Sequence, residues 1–376
     1  MEGSMRNQRK FALGSVLLVL FLMAQNVHAN THAQQGSPDV AAVENSFILV
    51  STGINGQGGG SYAAIASGGR YVAFESPAND LLPGVISGSW DEYLRDLQTG
   101  QIERTSTRSG GAPVYNPGAY TSPPALSENG RYVVFMSEAV DLVTGDTNRM
   151  PDIFLHDRST NTTELVSITL TGKSGNDASF TPAVSADGRF VVFQSFAGDL
   201  VQGDTNNSMD IFIRDRQLGV TELVSVAEDG AQGSDWHDYG FPGVTLSADG
   251  RYVAFAYERL PVTGGPDSGS NVYLRDRQAQ TTRWIAAGTL PTLTGDGRFL
   301  AFVTAEALAP DDNNTSPDVY LMNLAANQFE RISVPSGVNE PGEAFINDQP
   351  AISGDGRFVA FETNAALVPS DNNTIS

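Results

Sequence analysis

The 376-residue sequence contains no cysteine. That excludes a disulfide-stapled fold, a thiol nucleophile and a thiolate zinc centre. Positive charge is scarce: 22 Lys and Arg stand against 43 Asp and Glu, a formal net charge of −21. Charged residues make up only 17% of the chain, below the roughly 25% of an ordinary domain, so the imbalance is more unusual than the amount. An acidic surface repels phosphate backbones and anionic lipid, which makes nucleic acid and membrane surfaces poor partners. No long apolar run follows residue 29, and the later chain shows no sustained helical periodicity. What the chain does have is 40% hydrophobic residues, with 19 Phe and 11 Tyr, enough for a packed core and too much for a wholly disordered protein.

Arg6, Arg9 and Lys10 precede an apolar stretch from Phe11 to Ala24, followed by Val27-His28-Ala29. This is the pattern of a secretory signal peptide, expected over residues 1–29 with cleavage after Ala29. The apolar stretch is shorter than the roughly 20 residues a membrane span needs. Removing the leader leaves 19 basic and 42 acidic residues, and Lys173 is then the one remaining lysine. The expected mature protein is acidic, periplasmic or extracellular, and without a stable membrane span.

The phrase Gly-Arg-aromatic-aliphatic-x-Phe recurs at Arg70, Arg131, Arg189, Arg251, Arg298 and Arg357, spaced by 61, 58, 62, 47 and 59 residues. A repeat of this length suits a four-stranded propeller blade with long loops. Each repeated arginine follows Gly68-Gly69, Asn129-Gly130 or an Asp-Gly pair, which predicts a two-residue type I′ hairpin with positive φ at both central residues. A second hairpin follows in each unit, as in Asp152-Ile153-Phe154-Leu155-His156-Asp157 before Thr162-Thr163-Glu164-Leu165. The Val-Val-Phe strands lack polar alternation, as expected of a sheet covered on both faces.

The sixth unit has its first hairpin and then Asp371-Asn372-Asn373-Thr374, while Ser37-Pro38-Asp39-Val40 and Phe47-Ile48-Leu49-Val50-Ser51 read as the missing second half. Joined, they rebuild the string Asp312-Asn313-Asn314-Thr315-Ser316-Pro317-Asp318-Val319 of the fifth unit. The expected fold is all-β: a six-bladed β-propeller over residues 30–376, closed by N-terminal strands that complete the last blade, and monomeric because closure removes exposed edges. These blade motifs resemble the TolB-type, WD-repeat-like propeller repeat of bacterial exported proteins. The resemblance covers nearly all of the expected mature chain and implies a free-standing propeller without the α/β domain that TolB carries. A role in an envelope complex is what it implies by extension.

Residues recurring in every unit suit architecture. The repeated arginines are expected to pair with Asp96, Asp157, Asp215 and Asp276 of the third strands. Departures from the repeat mark candidate sites, and the long loops on one face are where ligands are expected. The fourth unit carries Trp236-His237-Asp238-Tyr239 where its neighbours have small polar residues, an aromatic, acidic and imidazole group suited to stacking a sugar or clamping a peptide. The same loop could equally pack on the next blade. The fifth unit is short between Ile285 and Leu293, which predicts a notch in the rim beside that loop, with Tyr115 and Tyr120 across the channel. Three outer loops share an Asp-x-Asn-x3-Asp spacing: Asp146, Asn148 and Asp152; Asp204, Asn206 and Asp210; Asp312, Asn314 and Asp318. Crowded oxygen ligands suit calcium, although the EF-hand glycine and distal glutamate are missing and Asx side chains also close turns without metal.

The sequence has no Gly-x-Ser-x-Gly elbow and no His-Glu-x-x-His motif, and His156 occupies a repeated strand position held by arginine in other units. No catalytic residue is assigned and no cofactor is required beyond the calcium candidate. The favoured function is a non-enzymatic module that binds a protein or glycan through the long-loop face. The alternative is a carbohydrate-active lyase or hydrolase using His237 and its acidic neighbours at the same rim.

Overall fold

The computed structural model describes residues 50–53, 59–83, 90–112, 122–234, 243–265, 269–334, 349–363 and 367. These residues contain no helix, and so none long and apolar enough to cross a membrane. They form five four-stranded sheets and one two-stranded sheet, each antiparallel and in chain order. The first blade is β1 (Ser61–Ile65), β2 (Tyr71–Ser76), β3 (Asp91–Asp96) and β4 (Ile102–Arg104). The second is β5 (Ala125–Leu126), β6 (Tyr132–Ser137), β7 (Asp152–Asp157) and β8 (Thr162–Leu165). The third is β9 (Ser179–Val184), β10 (Phe190–Ser195), β11 (Asp210–Asp215) and β12 (Val220–Leu223). The fourth is β13 (Val244–Leu246), β14 (Tyr252–Tyr257), β15 (Asn271–Asp276) and β16 (Thr281–Ala287). The fifth is β17 (Thr289–Leu293), β18 (Phe299–Thr304), β19 (Asp318–Asn323) and β20 (Gln328–Arg331). The sixth sheet is β21 (Ala351–Ile352) with β22 (Val359–Ala360). Residues 1–49 and 368–376, on which leader cleavage and ring closure turn, lie outside the described residues.

The three residues after the aromatic in the second strand of each four-stranded blade, such as Val191-Val192-Phe193, are apolar because both faces of these sheets are covered. In β10, Val191 and Phe193 join a core with Val134, Ile153 and Leu155 of the second blade, while Val192 points the other way into a core with Val253 and Phe255 of the fourth. Alternation thus survives as a choice of neighbour rather than of polarity. In the five four-stranded blades the phenylalanine that ends the repeated phrase faces an aromatic of the third strand. Phe74–Tyr93, Phe135–Phe154, Phe193–Phe212, Phe255–Tyr273 and Phe302–Tyr320 stack with centroids 5.8 to 6.4 Å apart. Such cross-strand aromatic pairs add stabilisation beyond the area they bury.

The first hairpins differ from the expected two-residue type I′ turn. In the third blade Ser185 N–H donates to Phe190 O at 2.9 Å and Gly188 N–H to Ser185 O at 2.9 Å, enclosing four loop residues. Only Gly188 has positive φ, at 76°. Asp187 keeps ordinary backbone because its Oδ1 accepts Arg189 N–H, an Asx turn that stabilises the loop without a second left-handed residue. The first blade, with glycine at both positions, does place both at positive φ.

The recurring ionic residues hold these blades together at the short-turn ends. Arg70–Asp96, Arg131–Asp157, Arg189–Asp215 and Arg251–Asp276 pair within blades at 2.6 to 2.7 Å. The facing guanidinium, with backbone amides of the turn, holds Asp96 and Asp157 well below the usual carboxylate range. The next arginine reaches backwards. Arg216 binds Glu164 and the Gly188 carbonyl and lies over the Tyr132 ring at 4.7 Å. Arg158 makes the same contacts to Glu103, Gly130 and Tyr71, and Arg277 to Glu222, Gly250 and Phe190. Between the fourth and fifth blades both partners change together, to Arg283 and Leu324. From the first blade to the fourth, the repeat is therefore a relay in which a blade grips the aromatic of the one before it.

Candidate functional site

Antiparallel order places the first hairpins and the turns between third and fourth strands at one end of the blades, and the long second-to-third and fourth-to-first connections at the other. The long connections are tied to each other: Ser174 N–H donates to Gly145 O at 3.0 Å, and Asn148 Nδ2 to Gly175 O at 2.9 Å. In the third blade Asn206 Nδ2 donates to Gly233 O at 3.3 Å.

Trp236, His237, Asp238 and Tyr239 lie outside the described residues, as do Tyr115 and Tyr120. Their flanks are described. Ser234 and Arg259 exchange backbone hydrogen bonds at 3.0 and 3.1 Å, anchoring the chain as it enters the tryptophan loop. On the other side Gly243, at φ 91°, packs against Leu290 and Pro291. The loop's base therefore adjoins β17, which follows β16 after Gly288 alone. The short connection of the fifth unit is thus Gly288 between two strands, and the notch expected beside the tryptophan loop turns on residues 235–242, which lie outside the described residues. The segment carrying Tyr115 and Tyr120 ends at Ser122, whose N–H donates to Glu75 Oε1 at 3.3 Å.

The three Asp-x-Asn-x3-Asp loops all sit on the long-connection side. In each, the asparagine Oδ1 accepts the N–H two residues on: Met150, Ser208 and Ser316. The aspartates are not equivalent. In the fifth blade Arg331 Nη2 lies 2.9 Å from Asp318 Oδ2 and its Nη1 lies 3.9 Å from Asp312 Oδ1, while Tyr320 OH donates to Asp312 Oδ2 at 2.6 Å. In the second blade Asp152 Oδ1 accepts Ser167 Oγ at 2.6 Å, but its Oδ2 and both oxygens of Asp146 are buried without a hydrogen bond. In the third blade Asp210 Oδ1 accepts Tyr257 OH at 3.0 Å, and Asp210 Oδ2 and Asp204 Oδ1 are likewise orphaned. Burial pushes the Asp152 carboxyl up to about 8, against the opposing pull of Ser167, and Asp210 up to about 6. Among the described residues no three His, Cys, Asp or Glu side chains converge as a metal cage.

His156 is 3% exposed, with Nδ1 3.0 Å from Thr163 Oγ1, and burial lowers its pKa. It is a packed strand residue. The expectations from sequence missed a pair in the first blade. Glu75 and Glu92 face each other in register across β2 and β3, at 4% and 3% exposure. One Oε2 of each is buried without a partner. Burial raises both, and mutual repulsion with a contribution from Asp91 raises Glu92 further; Asp91 is itself paired with Arg104 at 2.5 Å. The signal was present in the repeat: the other blades carry Met136, Gln194, Ala256 and Val303 opposite Ile153, Ile211, Val272 and Val319.

Because these carboxyls hold protons more tightly in the folded chain, their contribution to stability is fully present below the ordinary glutamate value of 4.5. It falls as pH rises through about 7. Glu75→Gln supplies a permanent amide donor towards Glu92 and keeps an acceptor for Ser122 N–H. At pH 8 it is expected to stabilise the protein by about 1–3 kcal/mol and to flatten the decline between pH 4.5 and 7. Urea denaturation of parent and variant across that range checks this. The difference isolates the pair from Asp152 and Asp210, which titrate nearby, and identical profiles would refute it.

No family model matches the sequence, and no curated protein matches it. Solved structures do. TolB from Acinetobacter baumannii is 18% identical at a TM-score of 0.44, over 76% of this chain and 55% of that one. The chain therefore spans little more than half the length of that TolB. Oligogalacturonate lyase from Vibrio parahaemolyticus is 13% identical at a TM-score of 0.45, over 80% of this chain and 72% of the other. The β-propeller domain of the Trilobed protease from Pyrococcus furiosus is 11% identical at 0.44, over 80% and 77%. The likeness is one of fold: the chain is similar to TolB and to other β-propellers in its blades.

Proposed function

We propose that the protein is an exported, non-enzymatic propeller of six blades, closed into a ring, that binds a protein or glycan ligand on its long-loop face. One observation carries the reading. The residues that recur from blade to blade are consumed in the Arg–Asp clamps and the backward-reaching arginine clasps at the short-turn ends, which leaves the divergent loops of the opposite face to carry specificity. Trp236 is the anchor of that face and Tyr115 and Tyr120 are its companions. Surface plasmon resonance against a glycan panel, alongside affinity capture from an envelope extract, tests this. Trp236→Ala is expected to weaken the selected ligand by roughly 30-fold, the cost of a tryptophan hot spot, whereas His237→Ala leaves binding within about threefold. Appearance of glycan cleavage products that depend on His237 would instead establish the lyase or hydrolase reading.

A further inference from the structure

The lead position of the third strand repeats in every complete blade, and what answers its charge differs. In four blades an aspartate stands there and accepts a serine hydroxyl fifteen residues on: Asp91 with Ser106, Asp152 with Ser167, Asp210 with Ser225 and Asp318 with Ser333. In the first and fifth blades the residue thirteen positions on is an arginine whose guanidinium pairs with that aspartate, Arg104 with Asp91 and Arg331 with Asp318. In the fourth blade the charge is gone: Asn271 replaces the aspartate and accepts Trp284 Nε1 at 3.1 Å, again from thirteen residues on. The second and third blades keep the acid and lose the base, with Leu165 and Leu223 at the arginine position.

These two blades also keep the second aspartate that Arg331 reaches in the fifth. Each thus holds two carboxylates, with the protein's own cation removed. Asp146 is 7% exposed with neither oxygen hydrogen-bonded, and Asp152 and Asp210 are fully buried with one oxygen each left over. Buried carboxylates without partners are costly and call for a counter-charge. Two carboxylates balance one divalent cation, and carboxylate, hydroxyl and loop carbonyl oxygens in irregular array suit calcium better than the strict octahedron of magnesium. The grooves nearby, one lined by Gly145, Leu165, Arg214 and Arg216 and the other by Gly203, Leu223, Arg275 and Arg277, include none of these aspartates, so it is the buried carboxylates themselves that call for the ion.

We infer that the protein binds two calcium ions, one at Asp146 and Asp152 and one at Asp204 and Asp210, in the place that Arg331 fills between Asp312 and Asp318. The ions tie the second-to-third connections to the third strands on the long-loop face, whatever ligand that face takes. The sequence spacing alone suggests three such sites; the arginine reduces them to two.

The test is calcium stoichiometry on the full exported chain after chelation, by isothermal titration and by metal analysis following gel filtration. Two ions per chain are expected. Leu165→Arg rebuilds the fifth-blade arrangement in the second and should leave one ion, and Leu165→Arg with Leu223→Arg should leave none. Asp146→Asn, which changes no volume, should also leave one, so the outcome does not hang on whether the arginine variants fold. No uptake, three ions per chain, or two ions retained in Asp146→Asn would each overturn the assignment.

Discussion

A chain lacking residues 30–51 is expected to lose its cooperative melting transition or to associate into oligomers. The expectation rests on what the short described stretch before the first blade touches. Val50 packs with Val72, Phe74, Leu81 and Tyr93, and Arg95 Nη1 donates to its carbonyl at 2.9 Å. Later blades show what normally stands there. In the second, His156 meets Thr163, which donates to Thr107 O beyond the first blade's fourth strand. In the fourth, Arg275 Nη1 donates to Thr282 Oγ1 at 3.0 Å, and Thr282 donates to Val226 O beyond the third blade's fourth strand at 2.6 Å. Val50 and its neighbours therefore relate to the first blade as the tail of a fourth strand relates to the next blade. Deleting them uncovers the apolar side chains that Val50 meets in the first sheet, and under the proposed ring closure it also leaves a strand edge of the last blade unpaired, the condition that favours edge-to-edge association. Light scattering after gel filtration and a calorimetric melt decide the matter. A truncated monomer that melts at the parent temperature would remove ring closure from the proposal.

The blades were legible because each of their constraints repeats. Six copies of one phrase, each opening on a glycine, locate the first hairpins and the buried second strands. The hairpin type was not legible, because an Asx turn and a type I′ turn use the same Asp-Gly pair. Asp187 shows that a side-chain acceptor can replace a second left-handed residue. The Glu75–Glu92 pair was visible in principle as two acids at apolar positions, but only after the units are aligned strand by strand. Carboxylates are otherwise so frequent that spacing cannot single them out. The role of Arg331 was hidden for another reason. It depends on a side chain thirteen residues from its partner reaching from the end of the fourth strand to the start of the third, at the end of the hairpin away from its turn, and an arginine at a strand end carries no such signal. The Trp236 loop is the opposite case, conspicuous in composition and free of the repeat that would dictate its path.

Gly188→Ala is expected to destabilise the protein by about 2–5 kcal/mol, the sum of a left-handed alanine and an overpacked site. Gly188 stands at φ 76°, and a β-carbon built on it falls within the ring of Tyr132. That ring cannot step aside. Arg131 lies over it at 4.7 Å, Arg216 lies over it at 4.7 Å, and Arg216 is itself held by Glu164 and by the carbonyl of Gly188. The added methyl therefore strains the hairpin and dislodges the clasp between the second and third blades. Gly203→Ala separates the two costs, since Gly203 has φ 98° with no heavy atom near its would-be β-carbon. It should lose only the backbone penalty, about 1–2 kcal/mol. Gly130 against Tyr71 and Gly250 against Phe190 repeat the Gly188 arrangement, so alanine at either should behave like Gly188→Ala rather than like Gly203→Ala. Urea unfolding of the four variants provides the comparison. Equal losses at Gly188 and Gly203 would show that the aromatic clasp yields and that the glycine serves the turn alone.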